Sequence, residues 1–233
     1  MNESLKRIII DIKDLQKSPI DNIHYFPNED NIMNGCALIF GPSGTPYEYG
    51  NYLFEFFFSE TYPYDPPKVV YKTNDGVTRF NPNFYRSGKV CLSLLNTWSG
   101  DQWSACQTIR SVLLTLQTTM NEMPLLNEPG VDEKIHLRSI LNYNKMINFK
   151  NIEFTILYYL NNVSKIPIQN SELIEKIFEN FEKSKREILE SAEKLKNQTT
   201  QETLYMQIYD MKFNLNYKLL YDKLKVFINK KLN

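Results

Sequence analysis

The chain has few of the residues that build disulfide frameworks or zinc sites. Only three of its 233 residues are cysteine, no two cysteines are separated by two residues, and just two histidines occur. An odd number of cysteines without a pairing pattern argues against a disulfide framework and for a reducing compartment. No structural metal site is predicted, because such sites need clustered cysteine and histidine ligands. We therefore expect a soluble protein of the cytoplasm, with the nucleus as a second compartment.

The chain also lacks an excess of charge of one sign and any long apolar run. Lysine plus arginine and aspartate plus glutamate number 27 each, so no overall basic field attracts nucleic acid or an anionic membrane. The charged segment 1–7 precedes only three consecutive isoleucines, which are too few for a signal peptide core or a membrane span. Neither nucleic acid nor a membrane is predicted as a partner, and protein partners are favoured.

Glycine and proline are nearly absent from the C-terminal part. All eight glycines lie at or before Gly130, and Pro167 is the only later proline. Because both residues interrupt helices, their loss predicts that the remainder is helical. We expect a core domain at 1–163 and a helical extension at 164–233, with a linker at 164–170. The extension carries two apolar stripes at helical spacing, one formed by Leu173, Ile174, Ile177, Phe178, Phe181, Ile188 and Leu195, the other by Leu204, Ile208, Met211, Leu215, Leu219, Leu220, Leu224 and Ile228.

These stripes are wider than the seam of a two-position heptad, which favours a helical hairpin packed on the core over a free coiled coil. In the core, apolar residues at helical spacing between positions 5 and 15 predict an amphipathic first helix with a basic exposed face. Short apolar segments between 35 and 71, separated by glycine and proline, indicate antiparallel strands. Ser104 is predicted to cap a helix that continues to Met120. The fold class is α+β.

The segment around Cys91 contains the strongest chemical signal. A cysteine forms a thioester that can pass an acyl group to an amine, and Asn83, eight residues earlier, offers an amide donor for the oxyanion. Pro82 restrains the backbone between Asn81 and Asn83, and Gly88 permits a tight turn before the cysteine.

Each of these residues also has a structural interpretation. A free cysteine is more often a small buried apolar residue than a nucleophile, and an asparagine after proline often satisfies backbone groups in a turn. Both interpretations of Asn83 stay open, and Asn81 is expected to brace the loop. Cys36, in an apolar run, and Cys106, near a helix start, are interpreted as structural.

Six blocks of residues follow one another in the first 130 positions. They are Gly41-Pro42 with Thr45-Pro46-Tyr47 and Gly50; Tyr62-Pro63 with Pro66-Pro67; Asn81-Pro82-Asn83; Gly88-Lys89-Val90-Cys91-Leu92; Trp103; and Asn127-Glu128-Pro129-Gly130. In this order they resemble the ubiquitin-conjugating enzymes. The resemblance implies the UBC-like fold, an antiparallel four-stranded meander flanked by helices, here followed by the C-terminal extension. It also implies that Cys91 is the thioester nucleophile and that Asn83 stabilises the oxyanion.

The resemblance extends to partner surfaces. It makes Lys6, Arg7 and Lys13 of the first helix candidates for binding the activating enzyme. It makes Tyr64, Ser104 and Ala105 candidates for binding a ligase, although relatives often have Ser-Pro-Ala in the second loop.

Asp132 and Glu133 fall near the acidic gate of the family, and as an alternative they are simply favourable charges at a helix start. The chain departs from the family pattern at Asn81, where histidine is usual, and at Ser93, where aspartate is common. The first of these departures is typical of one subgroup.

The leading functional prediction is an enzyme that accepts ubiquitin or a ubiquitin-like modifier as a thioester on Cys91. Its implied partners are the modifier, an activating enzyme, a ubiquitin ligase and protein substrates. No cofactor is implied, because ATP is consumed by the activating enzyme. One alternative is a non-catalytic scaffold that binds the modifier. A cysteine protease is disfavoured, because it needs a histidine base and neither His24 nor His136 lies in such a context.

Overall fold

The N-terminal part of the chain forms one helix and a four-stranded sheet. A computed structural model describes residues 2–230 of the chain. The first elements are α1 (Glu3–Lys17), β1 (Ile23–Pro27), β2 (Asn34–Phe40), β3 (Asn51–Phe57) and β4 (Lys68–Tyr71). All three strand pairs are antiparallel, and the strand order is β1-β2-β3-β4. The α+β class and the four-stranded meander predicted from the sequence are confirmed.

Helix α2 (Ile109–Thr119) begins four residues after the start that Ser104 as N-cap predicts. Thr108 is the N-cap, because its hydroxyl accepts from the Ser111 amide over 3.3 Å while Ser111 Oγ accepts from the Thr108 amide over 2.8 Å. The prediction that Ser104 caps this helix was therefore wrong. Ser104 lies instead in an exposed loop before the helix, and its carbonyl accepts from the Gln107 amide over 2.9 Å.

A long helical segment links the core to the extension. Helix α3 (Glu133–Lys150) continues as a π-helix at Asn151–Tyr158 and ends in the short α4 (Tyr159–Asn161). The π-helix brings Asn151 and Thr155 inside the protein, where Thr155 Oγ1 accepts from the Asn51 amide of β3 over 3.2 Å. This buried polar contact fixes the helical segment against the sheet.

The extension contains a β-hairpin between two helices. Helix α5 (Ser171–Gln198) is followed by β5 (Gln201–Met206), β6 (Met211–Asn216) and α6 (Tyr217–Lys230). The first predicted stripe lies on α5, but the second one does not form a single helix. The prediction that all residues after Gly130 are helical was wrong for the segment 201–216.

The hairpin sequence satisfies two periodicities at once. Leu204, Ile208, Met211 and Leu215 are spaced four, three and four residues apart, as on a helix face. In the structure, Met206, Met211 and Leu215 are the buried residues of the hairpin, whereas Ile208 in its turn is exposed. Alternate positions of β6 point inward, which is the two-residue period of a strand.

Helix α5 lies over the outer face of the four-stranded sheet. Leu38 is fully buried and pairs directly with His24 of β1, and paired residues share a face of the sheet. The charges of Lys176 and Lys183 on α5 act on His24, and Asn180 Nδ2 donates to the Tyr49 carbonyl over 3.2 Å. The extension therefore covers the sheet face that carries His24 and Leu38.

Candidate active site

Cys91 lies in an irregular segment that is hydrogen-bonded to Asn83. The Cys91 amide donates to the Asn83 carbonyl over 2.9 Å, and Asn83 Nδ2 donates to the Cys91 carbonyl over 2.7 Å. The two residues thus form a closed pair of hydrogen bonds, one between main-chain groups and one from the side chain. The structure brings the predicted nucleophile and the predicted amide donor together.

Asn81 holds Asn83 in place for the pair of hydrogen bonds with Cys91. Its side chain is fully buried, and Asn81 Oδ1 accepts from the Asn83 amide over 2.9 Å. Asn81 Nδ2 donates to the Tyr47 hydroxyl and to the Thr119 carbonyl, both over 2.8 Å. These are the contacts of a residue that braces the loop, since every bond fixes main chain or a neighbouring side chain.

Gly88 makes the turn that returns the chain to Cys91. Its φ is +88°, and a Cβ there would lie 3.0 Å from Val70 Cγ1 and 3.2 Å from the Tyr71 carbonyl oxygen. The Gly88 carbonyl accepts from the Tyr71 amide over 2.8 Å, next to the edge of β4. Both the backbone conformation and the close approach require glycine.

Thr97 holds the main chain on both sides of the cysteine. Its hydroxyl donates to the Val90 carbonyl over 2.8 Å and accepts from the Leu92 amide over 2.9 Å. One side chain therefore fixes the residues immediately before and after Cys91.

The segment between Cys91 and Trp103 folds back on itself. The Trp103 amide donates to Asn96 Oδ1 over 2.9 Å, and a Cβ at Gly100 would lie 3.2 Å from Ser93 Cβ. The segment thus packs against Ser93, two residues after the cysteine.

Two of the three cysteines are buried and one is exposed. Cys36 is 8% exposed and Cys91 is 3% exposed, whereas Cys106 is exposed. Burial, with the Glu55 carboxylate adding to it, raises the pKa of the Cys36 thiol to about 12, which disfavours the nucleophilic thiolate. Cys36 lies within the regular strand β2. Burial therefore does not single out Cys91, but its side-chain-braced irregular segment does.

Asp132 and Glu133 lie at the start of α3. Asp132 is the N-cap, and its Oδ1 accepts from the Lys134 amide over 2.9 Å and from the Ile135 amide over 3.2 Å. Both acids are exposed. These contacts are those of the alternative interpretation, in which the acids stabilise the helix start. Their role as an acidic gate stays a prediction.

The predicted surface for the activating enzyme is only partly free. Lys6 and Lys13 are exposed, but the guanidinium of Arg7 pairs with Asp11 over 2.9 Å. It also donates to the Ala105 carbonyl over 2.9 Å and to the Gln107 carbonyl over 2.6 Å. Arg7 therefore ties α1 to the loop before α2, and its placement on a freely exposed basic face was wrong.

The two predicted ligase loops are neighbours. Trp103 Nε1 donates to the Pro63 carbonyl over 2.7 Å, which links the loop of Tyr64 to the loop of Ser104 and Ala105. Tyr64 is 66% exposed and Ser104 is exposed, while Ala105 is half-buried. The exposed aromatic ring beside a polar loop is compatible with a partner surface, and that role stays a prediction.

Arg79 is a buried residue of this region that the sequence analysis did not single out. It is 9% exposed, and its Nε and Nη2 donate to the Asn81 carbonyl over 3.1 Å and to the Pro82 carbonyl over 2.7 Å. Its Cζ lies 3.3 Å from the centroid of the Tyr85 ring. A charged residue two positions before the Asn81-Pro82-Asn83 block is the local signal that could have identified it.

Two residues of the extension also reach this region. The Arg79 amide donates to Met211 Sδ over 3.1 Å, and Arg79 Cζ lies 5.5 Å from the centroid of the Tyr209 ring. No local signal predicts these contacts, because they join positions about 130 residues apart and the hairpin was predicted as helix.

Comparison with known proteins places this geometry in a family. A family model described as ubiquitin-conjugating enzyme matches residues 7–139, which include the whole segment from Arg79 to Trp103. The chain belongs to the ubiquitin-conjugating enzyme family, as its motifs indicated.

Individual relatives agree with this assignment. "Ubiquitin-conjugating enzyme E2 Z" of Xenopus tropicalis is 39% identical over 178 residues, covering 76% of this chain and 57% of the relative. The human protein of the same name is 40% identical over 177 residues, covering 76% of this chain and 50% of the relative. "Probable ubiquitin-conjugating enzyme E2 23" of Arabidopsis thaliana is 36% identical over 182 residues, covering 74% of this chain and 16% of the relative. The chain thus spans about half the length of the E2 Z relatives.

Residues 2–230 contain neither a membrane-spanning helix nor a cluster of metal ligands. Within that range no helix combines the length and the apolar character needed to cross a membrane. The same residues contain no group of three or more His, Cys, Asp or Glu side chains placed to hold a metal ion.

Proposed function

We propose that the chain accepts ubiquitin or a ubiquitin-like modifier from an activating enzyme as a thioester on Cys91. It then transfers the modifier to a lysine or to a ligase. The observation that carries the proposal is the closed pair of hydrogen bonds between Cys91 and Asn83, within a segment braced by Asn81, Gly88 and Thr97. Among residues 2–230, no side chain forms a hydrogen bond with the main chain of Cys36 in β2.

The chemistry has two steps. In loading, the Cys91 thiolate attacks the thioester carbonyl of the charged activating enzyme, and the cysteine of that enzyme leaves as a thiolate. In transfer to lysine, the neutral amine attacks the Cys91 thioester, a tetrahedral oxyanion forms, and the Cys91 thiolate leaves while the amine loses a proton. The oxyanion of the second step needs a positioned hydrogen-bond donor.

Asn83 has the contacts for this role. A carboxamide has two N–H donors, and within residues 2–230 one of those of Asn83 is bonded to the Cys91 carbonyl. Within the same described residues the other N–H has no acceptor, so we propose that it donates to the oxyanion at the Cys91 thioester. In the structure Asn83 braces the cysteine segment, and we propose that the same contact holds its amide beside the reacting carbon.

The remaining parts of the proposal come from the family. The partners are the modifier, an activating enzyme, a ubiquitin ligase and protein substrates, and the compartments are the cytoplasm and the nucleus. ATP is consumed by the activating enzyme, and this chain needs no cofactor of its own. Lys6 and Lys13 contribute to binding of the activating enzyme, and Tyr64 and Ser104 contribute to binding of a ligase.

A charging assay tests the proposal. Purified chain is mixed with ATP, modifiers and activating enzymes, and the products are separated on gels with and without reductant. We expect a reductant-sensitive adduct that Cys91→Ala abolishes and that Cys36→Ala and Cys106→Ala retain. Cys91→Lys is expected to capture the modifier in a reductant-resistant isopeptide bond.

Two results would contradict the proposal. A reductant-sensitive adduct that persists in Cys91→Ala would show that the nucleophile is a different cysteine. Modifier binding without any adduct, for every modifier and activating enzyme tried, would favour the non-catalytic scaffold.

A further inference from the structure

The charge of Arg79 is buried without an opposite charge beside it. The residue is 9% exposed, and among residues 2–230 no carboxylate forms an ion pair with its guanidinium. Burying an unpaired charge is unfavourable unless hydrogen bonds and polarisable groups compensate for the lost water. The contacts of Arg79 must therefore provide that compensation.

The main-chain contacts of Arg79 fall immediately before Asn83. The guanidinium donates to the carbonyls of Asn81 and Pro82, which are the two residues that precede Asn83. An arginine suits this task because its planar fork can bond two acceptors at once while its face stacks on an aromatic ring. Here the ring is that of Tyr85, 3.3 Å from Cζ. The positions of the two carbonyls, and with them the start of Asn83, are thus fixed by one side chain.

The turn of the C-terminal hairpin also approaches Arg79. The Tyr209 ring centroid lies 5.5 Å from Arg79 Cζ, and the Tyr209 hydroxyl donates to Glu128 Oε2 over 2.6 Å. Arg86 Nη2 donates to the Tyr209 carbonyl over 2.8 Å. Tyr209 is therefore fixed at its hydroxyl and at its main chain, with its ring beside the guanidinium.

We propose that Arg79 is a positioning residue for transfer to lysine, and that the hairpin takes part in this role through Tyr209. Arg79 sets the carbonyls of Asn81 and Pro82, these set the main chain of Asn83, and Asn83 places its amide at the thioester. The C-terminal extension is then a component of the transfer machinery. This inference rests on the proposed function of Cys91 and Asn83.

The first test separates loading from transfer. Enzyme is charged, the activating enzyme is stopped, and discharge to free lysine is followed in a single turnover. For Arg79→Lys we expect normal loading and discharge slowed about tenfold, since a misplacement of about 1 Å at a reacting centre can cost about 10²-fold. Arg110→Lys is the control, because Arg110 also donates to a main-chain carbonyl, that of Asp14 in α1 over 3.0 Å.

A double-mutant cycle distinguishes positioning from general support of the fold. If Arg79 acts through Asn83, Arg79→Lys in an Asn83→Ala background slows discharge by less than about twofold more, because the interaction it serves is already lost. Losses that multiply would show that Arg79 acts independently of Asn83 and would overturn the inference. All rates are measured well below the melting temperature of the least stable variant.

The role of the hairpin is tested with substitutions in the hairpin itself, which leave Arg79 unchanged. Tyr209→Leu removes the ring and should slow discharge, whereas Tyr209→Phe removes only the bond to Glu128 and should stay near the wild-type rate. Tyr205→Leu is the control, because Tyr205 belongs to the same hairpin and is 55% exposed. Equal rates for wild type, Tyr209→Leu and Tyr205→Leu would overturn the part assigned to the hairpin.

The outcomes for the two proposals differ. A wild-type chain that forms no adduct would refute the proposed function and this inference with it. An adduct that Arg79→Lys and Tyr209→Leu discharge at the wild-type rate would overturn the inference alone.

Discussion

The C-terminal extension meets the core at two surfaces whose contacts differ in kind. Near the segment around Cys91, Tyr209 and Met211 of the hairpin contact Arg79 through a ring and a hydrogen bond, and these contacts are directional. On α5, Leu173, Ile177 and Phe181 are buried in the apolar core, and Phe181 lies against Phe227 of α6. The extension therefore fixes the position of Arg79 through its hairpin and buries apolar side chains through α5.

This difference predicts separate consequences for rate and for stability. Apolar burial is non-directional and contributes free energy roughly in proportion to area. Hydrogen bonds to a buried arginine contribute less net stability but define position. Changes at the cysteine segment should mainly alter transfer, and changes beneath α5 should mainly alter unfolding.

The largest expected effect on transfer is at Asn83. Asn83→Ala should load modifier, because the activating enzyme shares that step, and should discharge to free lysine roughly 10²-fold or more slowly, the usual loss for one oxyanion donor. Single-turnover discharge and a thermal melt are measured on the same samples.

A matched control and a contrary outcome make this test decisive. Asn28→Ala removes another asparagine whose side chain braces a turn, accepting from the Asn31 amide over 2.8 Å, and it should leave discharge unchanged. If Asn83→Ala lowers the melting temperature and slows loading and discharge alike, Asn83 only braces the loop. Normal discharge in a destabilised Asn83→Ala would also refute its catalytic role.

Ile177→Ala tests the other surface. Ile177 is fully buried on α5, and truncating a buried isoleucine typically lowers the free energy of unfolding by about 2–5 kcal/mol. Urea denaturation should report this loss, while the discharge rate at a temperature where the variant is folded should stay at the wild-type value. Glu175→Ala, at an exposed position on the same helix, should change neither quantity. Slow discharge by folded Ile177→Ala would contradict this separation of rate from stability, because it would show that α5 is coupled to the segment around Cys91.

The sequence predicted the cysteine segment better than the extension for a physical reason. Asn83, Gly88 and Cys91 lie within nine positions, so their spacing largely fixes how they meet. The hairpin was mispredicted because Leu204, Ile208 and Met211 also fit a helical stripe, and intrinsic pattern cannot decide between two periods that both match. In the observed β-hairpin, Met211 and Tyr209 contact Arg79, and Tyr209 also contacts Glu128.

Strand β1 and the contacts of Arg7 could not be predicted from the sequence for related reasons. Strand β1 has only five residues and ends in a proline, so it offers too short an alternation to be recognised. Arg7 was predicted to be exposed because it lies off the apolar stripe of α1, but its partners are the carbonyls of Ala105 and Gln107, about 100 residues away. Because every residue has a main-chain carbonyl, a local sequence pattern cannot predict which distant carbonyl a side chain will bind.

The smallest expected effect is a pH dependence of stability at the α5 surface. Burial lowers the pKa of His24, Lys176 and Lys183 lower it further, and Glu179 opposes them. The folded state thus favours neutral imidazole, whereas the unfolded chain has the ordinary His pKa of about 6.5. The contribution of His24 to stability is therefore complete above about pH 6.5 and is lost as the pH falls through the lowered pKa of the folded state.

Substitution of His24 isolates this contribution. We expect the melting temperature of the wild type to fall more between about pH 7.5 and pH 5.5 than that of His24→Asn, since only the wild type must protonate a histidine beneath α5. Lys176→Met should reduce the fall partway, because it removes one of the charges that oppose protonation, whereas Lys218→Met on α6 should not. A steeper fall in His24→Asn would mean that the imidazole binds its proton more tightly in the folded state, and α5 could not then lie over His24 with its lysines as described.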